Sequence, residues 1–289
     1  MATHFVTRGE FIQAAVDKAQ PGDMIKVEPG TYRERVRFVR SGQHLSPISL
    51  SSSGRSPVIL DGEHKLKFGL EFGKYGDPEC EPVSHIEVCN FEVYRYTDDG
   101  IISRPGCHHI SLSNIGVFMC GGNGIYLWPD KQDEPGPSGY FIVDNCIASY
   151  NDRHGVKVGG SHITLRRITA EWNNPRQIVH TPYADGHGIQ VSNRNWNVTV
   201  EDCLCAYNWK HGLRYCAVGG EVTGVELHDN GLDGLNVAGG ASDVEVKGAH
   251  AYCNGRFGVV KAVGVENIKW NRLNLYENAR EDYAEETEN

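Results

Sequence analysis

A short motif, Gly followed by an aliphatic residue, a variable residue and usually a second aliphatic residue, begins at Gly100, Gly124, Gly155, Gly188, Gly212, Gly234 and Gly258. The steps between copies are 24, 31, 33, 24, 22 and 24 residues, so a unit of 22–24 residues, lengthened twice, accounts for all of them. Self-similarity at such a period means stacked units that bury one continuous core between neighbours, and it overrides any element-by-element reading. A leucine-rich repeat has a similar period, but its Leu ladder is missing. Propeller blades need about 40 residues.

Each unit also has an upstream half. Val143–Asn151 and the stretch from Val200 share a pattern of alternating apolar residues, and Asn stands four residues before Gly at Asn151, Asn208, Asn230 and Asn254. Alternation over such short stretches specifies strands with one buried face. Three short strands per turn, with Gly and Asn at the corners, describe a right-handed parallel β-helix, an all-β solenoid. Asn suits corners because it tolerates left-handed backbone and can bond to its copies on adjacent rungs.

No Pro/Ser/Gly-rich linker divides the 289 residues, so a single domain over 1–289 is expected. Thr7-Arg-Gly-Glu10 reads as a capping box, and Phe11, Ile12, Ala15, Val16 and Ala19 form a helical apolar stripe before Pro21-Gly22. This predicts an N-terminal cap helix at about 7–22, covering the open strand edges of rungs at about 25–275. The stretch 277–289, with six acids and one Arg, reads as a solvated acidic tail. The nine cysteines contain no CxxC pair, and Cys146, Cys203 and Cys253 are expected to be stacked, buried thiols.

Several segments resemble known families. Pro21–Glu34, with Ser41-Gly42, Pro47–Leu50 and Leu60-Asp-Gly62, resembles the N-terminal region of pectate-lyase-like β-helix proteins, notably alginate and chondroitin lyases. Ala148-Ser-Tyr-Asn-Asp-Arg-His-Gly155 resembles a stretch of mannuronan C5-epimerases whose Arg and His lie in the substrate groove, which implies groove positions for Arg153 and His154. Tyr96-Thr-Asp-Asp99 is similar to the start of the epimerase Tyr-x-x-Asp-Pro-His motif, but Gly100-Ile101 stands where Pro-His belongs. Asp185-Gly-His187-Gly188 is similar to polygalacturonase motifs. Hydrolysis needs an acid and base carboxylate around one bond, and Asp99 and Asp185 lie too many rungs apart for that.

Aligning the copies on Gly gives columns whose members are about 4.8 Å apart up the coil. The residue before Gly is Asp99, Asn123, His154, His187, His211, Asp233 or Phe257, and the outward position of the next strand is Ile102, Tyr126, Lys157, Gln190, Arg214, Asn236 or Val260. The two lengthened units, with extra residues around Trp128–Gly139 and Asn173–Tyr183, frame these columns as cleft walls. The segment Arg153–Arg214 carries +4 on a chain of formal charge −9, which suits an anionic ligand such as a polyuronate.

Abstracting the C5 proton of a uronate requires a neutralised carboxylate and a nearby base. Expelling the O4 substituent then gives a lyase; reprotonation from the other face gives an epimerase. Arg153 and Lys157 are assigned to charge neutralisation, His154 or His187 to the base, and Tyr96 or Tyr126 to proton donation, with Asp99, Gln190, His211, Arg214 and Arg176 as substrate contacts. No cofactor is demanded, although Ca²⁺ is a further means of neutralising the carboxylate, and a rigid row of histidines does not converge on a metal.

The leading expectation is a polysaccharide lyase acting by β-elimination on an acidic polysaccharide or oligosaccharide. The alternatives are a C5-epimerase on the same substrate class, a non-catalytic glycan-binding or structural β-helix, and chemistry on a small molecule held between the loops. The acidic balance argues against nucleic acid as a partner. No run of eighteen apolar residues and no basic-then-apolar leader is present, so the chain reads as soluble, without a membrane partner, and secreted or periplasmic if it acts on a polysaccharide.

Overall fold

The computed structural model describes residues 1–74, 77, 79–128, 139–175, 186–193 and 195–286. The chain winds into a coil of parallel strands gathered in a ten-stranded and a nineteen-stranded sheet. In the ten-stranded sheet every strand neighbours its counterpart one turn on, from Val36–Phe38 to Glu281–Glu285. The larger sheet holds two columns of strands joined through the long strands Ser84–Tyr94 and His108–Phe118, so each turn has three faces, as the repeat implies.

The faces meet at residues in the left-handed region. One bend column runs Asn90, Asn114, Asn145, Arg167 and Asp202; another runs Arg95, Met119, Tyr150, Trp172, Tyr207, Asp229, Cys253 and Glu277. The repeat asparagines are not themselves these corners. Each follows one, turned inward, and Asn151, Asn173, Asn208, Asn230, Asn254 and Asn278 form a ladder in which each oxygen after the first receives the backbone N–H of the Asn one rung earlier, while that of Asn151 receives the Cys120 N–H. Their amides donate to carbonyls of the preceding strands, so the corner's buried polar groups are satisfied internally.

The motif glycines answer to space and not to φ. A Cβ on Gly155 would sit 2.7 Å from both the Asn173 amide and the Gly188 carbonyl oxygen, and Gly188, Gly212 and Gly234 meet the same obstruction one rung on. Inside the coil, Ile125, Val156, Ile189, Leu213, Leu235 and Val259 form one fully buried column.

Three expectations change. The cap helix is only Ile12–Val16, and its first N–H groups are held by the Glu34 carboxylate, at 2.8 Å to Ile12 and 3.0 Å to Gln13. Glu10 instead closes a turn with the Thr7 N–H at 2.7 Å. The acidic segment is not wholly a tail, because Glu281–Glu285 pairs in parallel with Phe257–Lys261 and half-buries Tyr283 against Trp270. Cys146 and Cys203 are buried in one column with Ile168 between them, whereas Cys253 is an exposed corner residue. Among the described residues no helix is long and apolar enough to cross a membrane.

Candidate functional site

The outward column of the ten-stranded sheet is in register through Glu71, Ile102, Tyr126, Lys157, Gln190, Arg214, Asn236 and Val260. Its side chains oppose the core column because strand residues alternate faces. Facing outward does not leave them all exposed: Ile102, Tyr126, Gln190, Asn236 and Val260 are buried, while Lys157 and Arg214 are half-buried. The Lys157 ammonium stands 4.9 Å from the centre of the Tyr126 ring, and Trp128 packs on the same ring at 4.7 Å. Tyr126 also joins Phe68 and Ile102 in a small apolar cluster separate from the main core.

Beside this row runs the column that precedes each motif glycine. Its members from Asp99 to His187 share one structural task, which explains why Asp, Asn and His interchange there. Asp99 Oδ1 accepts the N–H of Asn123 at 2.6 Å, Asn123 Oδ1 that of His154 at 3.3 Å, His154 Nδ1 that of His187 at 3.2 Å, and His187 Nδ1 that of His211 at 3.3 Å. Asp, Asn and His each carry an acceptor at the δ position, so each can reach the next rung. The three imidazoles stack with centroids 4.9 Å apart. At the far end Asp233 is gripped by Arg256 through two 2.6 Å bonds.

The electrostatics follow from burial and partners. Burial, and then the neighbouring His211 and His154, holds His187 well below its ordinary pKa. Burial likewise lowers His211, against the opposing pull of Asp233. Burial, followed by Asp98, pushes Asp99 up to about 6. Asp233 moves the other way: burial disfavours its charge, but bonds from Arg256 and His211 prevail and hold it at about 2.

The right handed beta helix region, as a sequence family, matches residues 79–279. The chain belongs to the right-handed β-helix family. Among solved structures this β-helix is similar to the pectate lyase Pel9A, at 15% identity and a TM-score of 0.67 over 93% of this chain and 77% of that one. It is also similar to the A-module of the mannuronan C-5 epimerase AlgE6 of Azotobacter vinelandii (18%, TM-score 0.68, covering 93% and 72%). A third similar structure is an alginate lyase of Paenibacillus sp. str. FPU-7 (16%, TM-score 0.56, covering 94% and 99%). At these identities the likeness concerns the fold. No curated protein sequence matches the chain.

Within this β-helix the expected residues separate into groups. Tyr126, Lys157, Gln190 and Arg214 share the outward row, with Arg153 and His154 beside its lower half and His211 beside its upper half. Arg176 and Asp185 lie outside the described residues. Tyr96 is corrected: it lies within the core, with its hydroxyl donating to the Glu34 carbonyl at 2.6 Å, so it is no proton donor to a ligand on the outer face. His154 and His187 are corrected as bases, because a neutral imidazole whose Nδ1 accepts an N–H carries its own proton on Nε2. In that tautomer they donate and have no lone pair left with which to take a proton.

Asp99 is buried at the foot of the column, with Oδ1 receiving two Asn123 donors, while Asp98 faces Lys67 at 3.8 Å. Two carboxylates supply fewer than the roughly six to eight oxygens that Ca²⁺ takes. Among the described residues no group of three His, Cys, Asp or Glu is arranged to hold a metal ion. The Asp233–Arg256 clamp escaped the reading of the sequence, although Asp233 stands in the histidine column and its position was the available signal.

Proposed function

We propose that the outer face of the ten-stranded sheet binds a uronate-containing acidic polysaccharide and cleaves it by β-elimination. The observation that carries this reading is the in-register run Lys157–Gln190–Arg214, flanked by Arg153 and Lys210, on a chain whose remaining residues are strongly acidic. Two cations two rungs apart, roughly 10 Å, match repeated carboxylates along an extended chain better than a single small anion. Gln190 between them is buried, with its amide donating to the Val191 carbonyl at 3.0 Å, so it spaces the two cations without adding a charge, and the Tyr126–Trp128 pair closes one end of the row with aromatic surface.

In the proposed reaction a cation of the row neutralises the C5 carboxylate of the bound sugar. A neutral side chain takes the C5 proton, the C–H electron pair becomes the C4–C5 double bond, and the C4–O4 bond breaks with its pair leaving on oxygen. The similarity in fold to pectate and alginate lyases supports the reading. The Asn151–Gly155 stretch, similar to the epimerase segment, supports C5 epimerisation as the second reading, since it shares the first step.

Incubation of alginate, pectate and chondroitin with the protein in D₂O, followed by proton NMR, separates the outcomes. Elimination gives an unsaturated terminal sugar. Epimerisation gives deuterium at C5 with the chain length retained, and a protein that only binds leaves every spectrum unchanged.

A further inference from the structure

The three stacked histidines are chemically unequal, and the difference arises at one contact. His154 and His187 each accept the backbone N–H of the next rung on Nδ1. Nδ1 of His211 lies 3.3 Å from the Asp233 N–H but only 3.0 Å from Asp233 Oδ2. One ring nitrogen either accepts or donates. Asp233 is fully buried, held by both arms of Arg256 and by the Asn236 amide at 3.1 Å, so its carboxylate is ionised and can only accept. The shorter contact therefore fixes the proton of His211 on Nδ1.

We infer that Asp233 selects the opposite tautomer at His211, so that of the three stacked rings His211 is the one whose Nε2 keeps a lone pair, and that this nitrogen is the base of the proposed elimination. Among the described residues no hydrogen bond engages Nε2 of His211, and this ring is the most exposed of the three, at 8% against 3% for His154 and His187. A carboxylate that orients an imidazole through Nδ1 also stabilises the imidazolium formed when Nε2 takes a proton. The groups facing His211 are His187 on one side, Asp233 with Arg256 on the other, and Lys210 and Arg214 on its own rung. Burial, joined by the Arg214 and Arg256 cations, outweighs the opposing pull of Asp233 and holds His211 below its ordinary pKa, which favours the neutral form a base needs.

This inference rests on the proposed function and locates its chemistry. The reacting sugar sits at the Arg214 rung, where the C5 proton passes to His211 Nε2 and the departing oxygen takes a proton from water. Tyr126, three rungs or roughly 14 Å away, then contacts a neighbouring sugar and is not the proton donor.

The test has two arms on the full chain. Long-range proton–nitrogen correlation spectra of ¹⁵N-labelled protein, assigned with single His→Gln variants, read each tautomer without any substrate. The expected result is a protonated Nδ1 at His211 and a protonated Nε2 at His154 and His187; a protonated Nε2 at neutral His211 overturns the inference. In the second arm, His211→Gln is expected to lower kcat on the cleaved polyuronate at least 1000-fold while oligosaccharide affinity changes less than threefold. Turnover by folded His211→Gln at the wild-type rate would overturn it and leave the proposed function standing. Should the wild type act on no polyuronate, the proposed function fails, and the claim that His211 is its base falls with it.

Discussion

Asn208 offers one side-chain oxygen to two donors of Asn173, the backbone N–H at 3.1 Å and the side-chain amide at 2.9 Å, while its own amide donates to Ala170 and Asn230. Both residues are buried, so water cannot replace these bonds. Asn208→Ala leaves donors on Asn173 and the Ala170 carbonyl unsatisfied. A loss of about 2–4 kcal/mol is expected in urea unfolding, from roughly 1–3 kcal/mol per buried unsatisfied group. Asn208→Ala with unchanged stability would mean that the ladder is incidental to the coil.

The acceptor column makes a subtler claim. If His154 serves the fold through Nδ1 alone, His154→Asn restores the arrangement already present at Asn123, where a side-chain oxygen receives the next rung's N–H. It should cost under about 1 kcal/mol. His154→Leu, which orphans the His187 N–H, should cost about 1–3 kcal/mol. Equal losses for the two variants would show that ring stacking and not the acceptor is what matters there.

Asp99 titrates in the opposite sense to most acids. Its pKa rises from 3.8 to about 6, so the folded state binds a proton more tightly than the unfolded chain, and the stabilising effect present at low pH is lost as pH rises through that window. Asp99→Asn keeps the acceptor for Asn123 and removes the charge. The variant should exceed the wild type by on the order of 2 kcal/mol at pH 7.5, with the advantage vanishing near pH 4. Denaturation curves at the two pH values check this.

His187 and His211 have depressed pKa values, so the folded state resists their protonation while the unfolded chain accepts it near 6.5. Their contribution to stability is present above 6.5 and declines as pH falls below it. His187→Asn should flatten that acid-side decline in a plot of melting temperature against pH. A slope identical to wild type would place the titrating groups elsewhere.

The architecture could be read from the chain because stacking forces a period onto the sequence, and Gly155, Gly188 and Gly212 mark it by meeting the next rung's backbone. The same counting could have placed Tyr96 correctly. It stands four residues before Gly100, the offset of Asn151 from Gly155, and that offset faces the interior. Lys157 and Arg214 were legible from strand parity, but the burial of Tyr126 and Gln190 was not, because parity gives a direction and says nothing about what lies over that face. The tautomer of His211 was beyond the sequence too. It depends on a 3.0 Å contact with Asp233, which itself depends on Arg256 reaching across from the following rung.

The central claim, eliminative cleavage of a polyuronate along the Lys157–Gln190–Arg214 row, is tested most directly by the ultraviolet absorbance of the unsaturated product. Wild-type protein mixed with alginate, pectate or chondroitin is expected to generate that chromophore on at least one polymer, and Lys157→Gln/Arg214→Gln to lose it by at least about tenfold through weakened charge pairing with the substrate carboxylates. No chromophore on any of these polymers, or undiminished formation by the folded double variant, would contradict the account.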